Sequence, residues 1–237
     1  EKKSFFKKTF YRLLTNLSLY YADSYSVTSN ADLIFSQKYF IQPKLINVRP
    51  NWVNSYEYKE LISRYENRIL TVGRLEKQKN FEKLIQDFKN SDFEIDIVGE
   101  GSEYKLLNEI SKNYNVKVNF LGKLENNELI NKYSKYKFFI SSSSFEGNPK
   151  TVLEAMSSGC IVLLSDIENH KELVNDNENG YIVKFNESYK QKIDEISKDF
   201  DTLKKVSKKA VVKVNKNNHI DKLVNDLYKD YEFLSSK

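Results

Sequence analysis

Two carboxylates stand eight residues apart in Phe145-Glu146-Gly147-Asn148-Pro149-Lys150-Thr151-Val152-Leu153-Glu154, straddling the expected start of a helix. Pro149 suits a first helical turn, where its missing N–H would be unpaired in any case. The helix then opens beside Gly147 and Asn148, and its free amides and positive dipole end make a place for an anion such as a phosphate. Glu146 lies just before the helix and Glu154 one to two turns inside it. The pair can therefore address two ends of one ligand, each accepting hydrogen bonds from sugar hydroxyls. The plainer alternative pairs Glu154 with a lysine and leaves Glu146 solvated in its loop.

A second group, Val72-Gly73-Arg74-Leu75-Glu76-Lys77-Gln78-Lys79-Asn80, sets an arginine directly after a strand-ending glycine and a lysine five residues later. A planar fork donor and a point-charge ammonium together suit a diphosphate. The chain has five arginines, at 12, 49, 64, 68 and 74, and otherwise uses lysine as its cation, so Arg74 hints at bidentate recognition. The alternative is a surface arginine paired with Glu76 or Glu100.

The elements that must position these groups alternate regularly. Strands are expected at 69–72, 93–98, 116–121, 138–142, 161–165 and 181–183, with helices at 80–90, 102–113, 125–135, 149–158 and 167–174. Apolar strands alternating with helices at this spacing mean right-handed βαβ units, hence a doubly wound, Rossmann-like α/β domain with a parallel sheet and helices on both faces. Gly73, Gly99, Gly101, Gly122 and Gly147 all follow strands, at the carboxyl edge where such folds bind ligands. Upstream, Phe6, Phe10, Leu13, Leu14, Leu17 and Tyr21 at helical spacing opposite early lysines predict an amphipathic helix over 4–21. A strand at 25–29, a helix from Ala31 capped by Asn30 and a strand at 46–48 follow. These pieces are too few for a core of their own. Residues 188–237 read as lysine-rich helices with Leu223, Leu227, Tyr231 and Leu234 on one face.

Composition removes other classes. With 237 residues, 40% hydrophobic and 30% charged, and only 7 glycines and 3 prolines, the chain is neither collagen-like nor disordered. Its apolar runs fall short of the roughly 20 residues of a membrane span. The single Cys160 permits no internal disulfide and points to a reducing compartment. Of the net charge of +5, residues 1–12 carry +4, so no basic stripe remains for nucleic acid. His170 and His219 fall outside the motifs, without metal-ligand spacing, and are read as surface residues. No D-x-D pair of the kind that holds a divalent ion accompanies the motifs, so no metal is expected. The chain opens on Glu1, as a processed protein or a piece of a longer one would.

Taken together, these segments resemble the nucleotide-binding half of the retaining glycosyltransferases of family 4, which have the GT-B fold. The E-x7-E signature of that family stands here as Glu146-Gly147-Asn148-Pro149 through Glu154-Ala155-Met156, and its G-R-L…K element as Gly73-Arg74-Leu75…Lys79-Asn80. Val98-Gly99-Glu100-Gly101, Phe120-Leu121-Gly122 and Glu172…Asn179-Gly180 match in order and spacing. Ala22-Asp23 to Ser29 and Val48-Arg49-Pro50-Asn51-Trp52-Val53 resemble its last N-domain strand and interdomain link. Trp52 replaces the usual glycine, and Asn148 the usual aromatic or leucine.

The resemblance implies roles. Arg74 and Lys79 would hold the diphosphate of a nucleotide-sugar, expected to be a UDP-sugar, and stabilise it as it leaves. Glu146 would hold the donor sugar and Glu154 the ribose hydroxyls. Gly73 and the amides of Gly147, Asn148, Lys150 and Thr151, with Pro149 opening the helix, would line phosphates and sugar, and Lys123 and Leu124 would flank the base. No cofactor is implied. The resemblance implies three parts: 1–54, the end of an N-terminal acceptor domain otherwise missing; 55–185, the donor domain; and 186–237, helices wrapping or returning toward the N-terminal part. The acceptor would be a saccharide or lipid-linked hydroxyl in bacterial surface-polysaccharide or glycolipid assembly, in the cytoplasm. Residues 1–21 could dock on the inner membrane face or, left uncovered, drive self-association. A donor-binding subunit needing a partner chain, a non-catalytic nucleotide-binding module and a phosphorylase on the same fold are the other readings.

Overall fold

The computed structural model describes residues 2–236, with side chains from Lys7 onward. Helix α1 (Lys2–Tyr21), strand β1 (Ser24–Val27), helix α2 (Asn30–Tyr39) and strand β2 (Leu45–Val48) form the N-terminal segment, with β1 and β2 parallel and in register. Their side chains bury little: Phe10, Leu13, Leu17, Tyr20 and Tyr21 on α1 are all more than half exposed. The expected cap shifts by one residue. Ser29, in extended backbone, accepts from the Asp32 amide at 3.0 Å, while the amides of Asn30 and Ala31 donate to the Glu172 carboxylate at 2.9 and 2.8 Å. A tertiary partner 141 residues away from Ala31 thus starts the helix early.

The main sheet has six parallel strands, β3 (Tyr65–Val72), β4 (Glu94–Val98), β5 (Lys117–Phe120), β6 (Tyr136–Ser141), β7 (Ile161–Ser165) and β8 (Tyr181–Val183), in the order β5-β4-β3-β6-β7-β8. Apolar runs without alternation demand cover on both faces, and they receive it. Ile69, Phe138, Ile140, Ile161 and Leu163 pack toward helices α3 (Phe81–Asp87), α4 (Tyr104–Asn113) and, near the chain's end, α8 (Tyr189–Ile196). Leu70, Phe139, Val162 and Leu164 face helices α5 (Asn126–Tyr133), α6 (Lys150–Ser157), α7 (Glu168–Leu173) and α9 (Phe200–Asn218). Strand β3 begins at Tyr65, four residues before the apolar run that reveals it in the sequence, because its first residues lie at the exposed sheet end.

The order reverses between β3 and β6. That switch point is where loops from neighbouring strands diverge and leave a crevice. Helix α10 (Ile220–Ser235) returns to the N-terminal segment: Arg49 forms an ion pair with Asp230 and donates to the Asp226 carbonyl at 3.1 Å. Val53 is 1% exposed and its amide donates to the Asn218 carbonyl at 3.0 Å, anchoring the link between the two parts. Among the described residues no helix is long and apolar enough to cross a membrane.

Candidate functional site

The loops leaving β3 and β6 are joined by hydrogen bonds from both side chains and backbone. After Gly73 the chain makes a short 3-10 turn, Lys77–Lys79, closed by Asn80 at φ 51°, a left-handed position asparagine tolerates. Ser142 Oγ donates to the Lys79 carbonyl at 2.7 Å, the Ser144 amide to the Gln78 carbonyl at 2.8 Å, and Gln78 Nε2 to the Phe145 carbonyl at 2.7 Å. This zipper sets Lys79 against Glu146. Lys79 Nζ and Ser143 Oγ each donate to Glu146 Oε1 at 2.5 Å, and Glu146 is only 7% exposed. Gly73 supplies the floor: a Cβ there would lie 2.9 Å from Lys79 Cε, where the lysine stem crosses the bare backbone.

Arg74 is placed differently. Its guanidinium is largely exposed and pairs with Glu76 at 3.0 Å, so it is not brought into the Lys79–Glu146 contact. A surface pair of this kind is weak and readily exchanged for a stronger anion.

Helix α6 begins at Lys150, with Pro149 as its non-helical cap at ψ 103° rather than its first turn. The Val152 and Leu153 amides donate to the Pro149 carbonyl at 3.1 and 3.3 Å, and the amides before them have no partner within the helix. A Cβ on Gly147 would lie 3.6 Å from Thr28 Oγ1, so the end of β1 closes the crevice from the N-terminal side. Asn148 turns to the link instead: its Oδ1 accepts from the Asn51 amide at 2.8 Å. Lys150 Nζ lies 4.4 Å from the Trp52 ring centroid.

Glu154 is neither solvated nor paired with a lysine. Tyr133 Oη donates to its Oε2 at 3.1 Å, and burial raises its pKa, opposed by that hydrogen bond and by the charge of Lys150. Gly122, which precedes Lys123 and Leu124, sits at φ 66°, and its carbonyl accepts from the Gly99 amide at 2.8 Å, tying the β5 loop to the β4 loop. Lys123 is exposed, and Leu124 packs on the core face shared with α5 and α6.

His170 corrects the surface reading: it is fully buried behind the site. Nδ1 contacts the Ser165 carbonyl at 2.9 Å and Nε2 the Ser141 hydroxyl at 3.4 Å. Its position on α7, packed against the serine-rich end of β6, is a tertiary matter that local spacing does not disclose. Burial pulls its pKa down to about 4, against a usual value near 6.5. The unfolded chain therefore binds more protons between these values. The stabilisation is fully present above about pH 6.5 and is lost as pH falls toward about 4, by up to about 3 kcal/mol. Urea midpoints measured from pH 7 to pH 4.5 should fall more steeply for the wild type than for His170→Phe; parallel curves would contradict this. His219 caps α10, Nδ1 accepting from the Asp221 amide at 3.4 Å.

Sequence reasoning missed three supports: Ser143 on Glu146, Tyr133 on Glu154, and His170. The run of four serines after β6 was the available signal for the first. One D-x-D, Asp199-Phe200-Asp201, does exist, but Asp199 spends its carboxylate capping α9 on the Thr202 amide and hydroxyl at 3.0 and 2.7 Å. Among the described residues no group of three or more His, Cys, Asp or Glu side chains gathers as a metal site.

Residues 55–231 match the model of the family described as glycosyl transferases group 1, a span that includes the whole six-stranded sheet and both zippered loops. The chain belongs to that family. Among solved structures, this group 1 chain is similar to sucrose-phosphate synthase from Thermosynechococcus elongatus, with TM-score 0.81 and 19% identity over 95% of this chain and 61% of that one. It is similar to Anabaena HepE, in complex with UDP and glucose, with TM-score 0.81 and 18% identity over 95% and 66%. The pneumococcal O-GlcNAc transferase GtfA, in complex with UDP and GlcNAc, follows with TM-score 0.71 and 21% identity over 91% and 46%. At these identities the likeness shows the GT-B glycosyltransferase fold. The group 1 chain spans about half to two thirds of these structures, in the manner of their C-terminal domain. Among curated proteins no sequence matches.

Proposed function

We propose that this chain is the donor-binding part of a retaining glycosyltransferase of family 4, moving a sugar from a nucleotide-diphosphate sugar to a hydroxyl acceptor without metal. The observation that carries the reading is the paired Lys79 and Glu146 at the switch point, each held by neighbouring loops rather than by solvent. UDP is the expected nucleotide, since HepE and GtfA were solved with it.

In this reading the diphosphate lies against the α6 amides and draws Lys79 and Arg74 to it, and the ammonium leaves Glu146 free to accept from donor-sugar hydroxyls. Tyr133 holds one oxygen of Glu154, so the carboxylate presents the other to the ribose, with Lys123 and Leu124 beside the base. As the bond from anomeric carbon to phosphate oxygen breaks, its electron pair stays on the nucleoside diphosphate. The two cations, once drawn to the diphosphate, and the amides stabilise the developing charge. Retention requires the acceptor oxygen to bond on the face just vacated, next to the departing phosphate oxygen, which takes its proton. Proton NMR of the product anomer made from UDP-glucose tests this; an inverted anomer would refute retention.

We assign 1–54 to the end of an acceptor domain, 55–185 to the donor domain and 186–237 to the returning helices. The apolar row of α1 favours a companion: the rest of that domain in a longer chain, or a separate subunit, as the solved GtfA/B complex illustrates for its own members. Bacterial surface-polysaccharide or glycolipid assembly is the expected setting. Should α1 instead dock on lipid at the inner membrane face, the chain will co-sediment with anionic vesicles at low salt and be released by high salt.

A further inference from the structure

Trp52, in the link that follows β2, and Lys150, the first residue of α6, meet at the mouth of the crevice. The backbone on either side of the ring is anchored. On one side the Asn51 amide is bonded to Asn148 Oδ1 at 2.8 Å, and on the other the Val53 amide to the Asn218 carbonyl at 3.0 Å. The ring itself stays 42% exposed. The Lys150 ammonium rests over it at 4.4 Å, and among the described residues it has no carboxylate ion pair. A cation over a half-exposed ring is held loosely, whereas a phosphate offers a charge-assisted hydrogen bond. Lys150 and Glu154 stand one turn apart on α6 and so share a face of the helix, and the lysine's charge opposes the effect of burial on Glu154.

We infer that the Lys150 side chain is a further phosphate-binding group of the donor site, and that Trp52 is its positioning residue, keeping the ammonium at the crevice mouth until a nucleotide diphosphate takes it. The inference rests on the donor-site reading above. In it, the lysine side chain adds to what its backbone amide does, and Trp52 touches the lysine rather than the ligand.

Trp52 is the sole tryptophan, so its emission reports this contact directly. The experiment titrates UDP into the full chain without metal, following both heat and tryptophan emission, in wild type, Lys150→Gln, Lys150→Arg, Lys79→Ala and, as a charge control, the exposed Lys216→Gln. Lys150→Gln should weaken UDP about 10-fold, Lys150→Arg should recover most of that, and Lys216→Gln should leave affinity unchanged. UDP should shift wild-type emission toward that of ligand-free Lys150→Gln, a change a purely structural lysine would not cause. UDP binding that is lost in Lys79→Ala yet equal in wild type and Lys150→Gln, with unmoved emission, would overturn the inference alone. No UDP binding to the wild type would overturn it together with the donor-site reading.

Discussion

Lys79→Ala is expected to lower sugar transfer, or donor hydrolysis where no acceptor is supplied, by roughly 10²–10³-fold, the cost of removing one preorganised charge from a developing anion. Lys79 outweighs Arg74 because its stem is packed on Gly73 and its carbonyl bonded to Ser142, so only the ammonium turns from Glu146 to the diphosphate. Arg74, exposed and paired with Glu76, should cost less when removed, about 10-fold. Lys79→Ala also leaves Glu146 buried with only Ser143 as donor, and an uncompensated buried carboxylate should cost about 3 kcal/mol. The double variant Lys79→Met with Glu146→Gln separates the two effects. It should regain most of the lost thermal stability while staying inactive; a double variant that recovers activity would show that the lysine acts only through folding.

Gly99→Ala carries the second large effect. Gly99 lies at φ +138°, and a Cβ there would sit 2.0 Å from the Gly73 carbonyl oxygen, a backbone atom that cannot swing aside. Relief requires parting the β4 loop from the β3 loop, which costs the Gly73 amide its 2.9 Å bond to the Val98 carbonyl and tilts the floor under Lys79. The expected loss is about 2–4 kcal/mol with weakened donor binding. Gly122→Ala is the contrast. Its φ of +66° is also left-handed, but its added Cβ would meet only Glu100 Oε1 at 3.8 Å, so about 1 kcal/mol is expected. Equal urea midpoints for the two variants would contradict the steric argument.

Much of the fold was legible because buried parallel strands write themselves as unbroken apolar runs: β7 and β8 have the expected bounds, and the other sheet strands differ only at their ends. Gly99 and Gly101 at the carboxyl edge marked the loops, since there a close backbone approach excludes a Cβ. The supports of the site were less legible. Tyr133 reaches Glu154 across 21 residues and His170 reaches Ser141 across 29, and neither distance leaves a period in the sequence. Ser29 rather than Asn30 caps α2 because Glu172 lies waiting for the two amides. Glu146 looked like a loop carboxylate able to reach a sugar; only the fold shows that a lysine and a serine hold it.

A nucleoside diphosphate is expected to seat itself at the β3–β6 switch point. Isothermal calorimetry of UDP, GDP and ADP with the chain in chelator tests it most directly, with Glu154→Ala and Lys79→Ala in parallel. UDP should bind without metal, and both variants should lose that binding, the first through the ribose and the second through the diphosphate. A well-folded wild type that binds none of the three, or UDP binding that survives both substitutions, would contradict it.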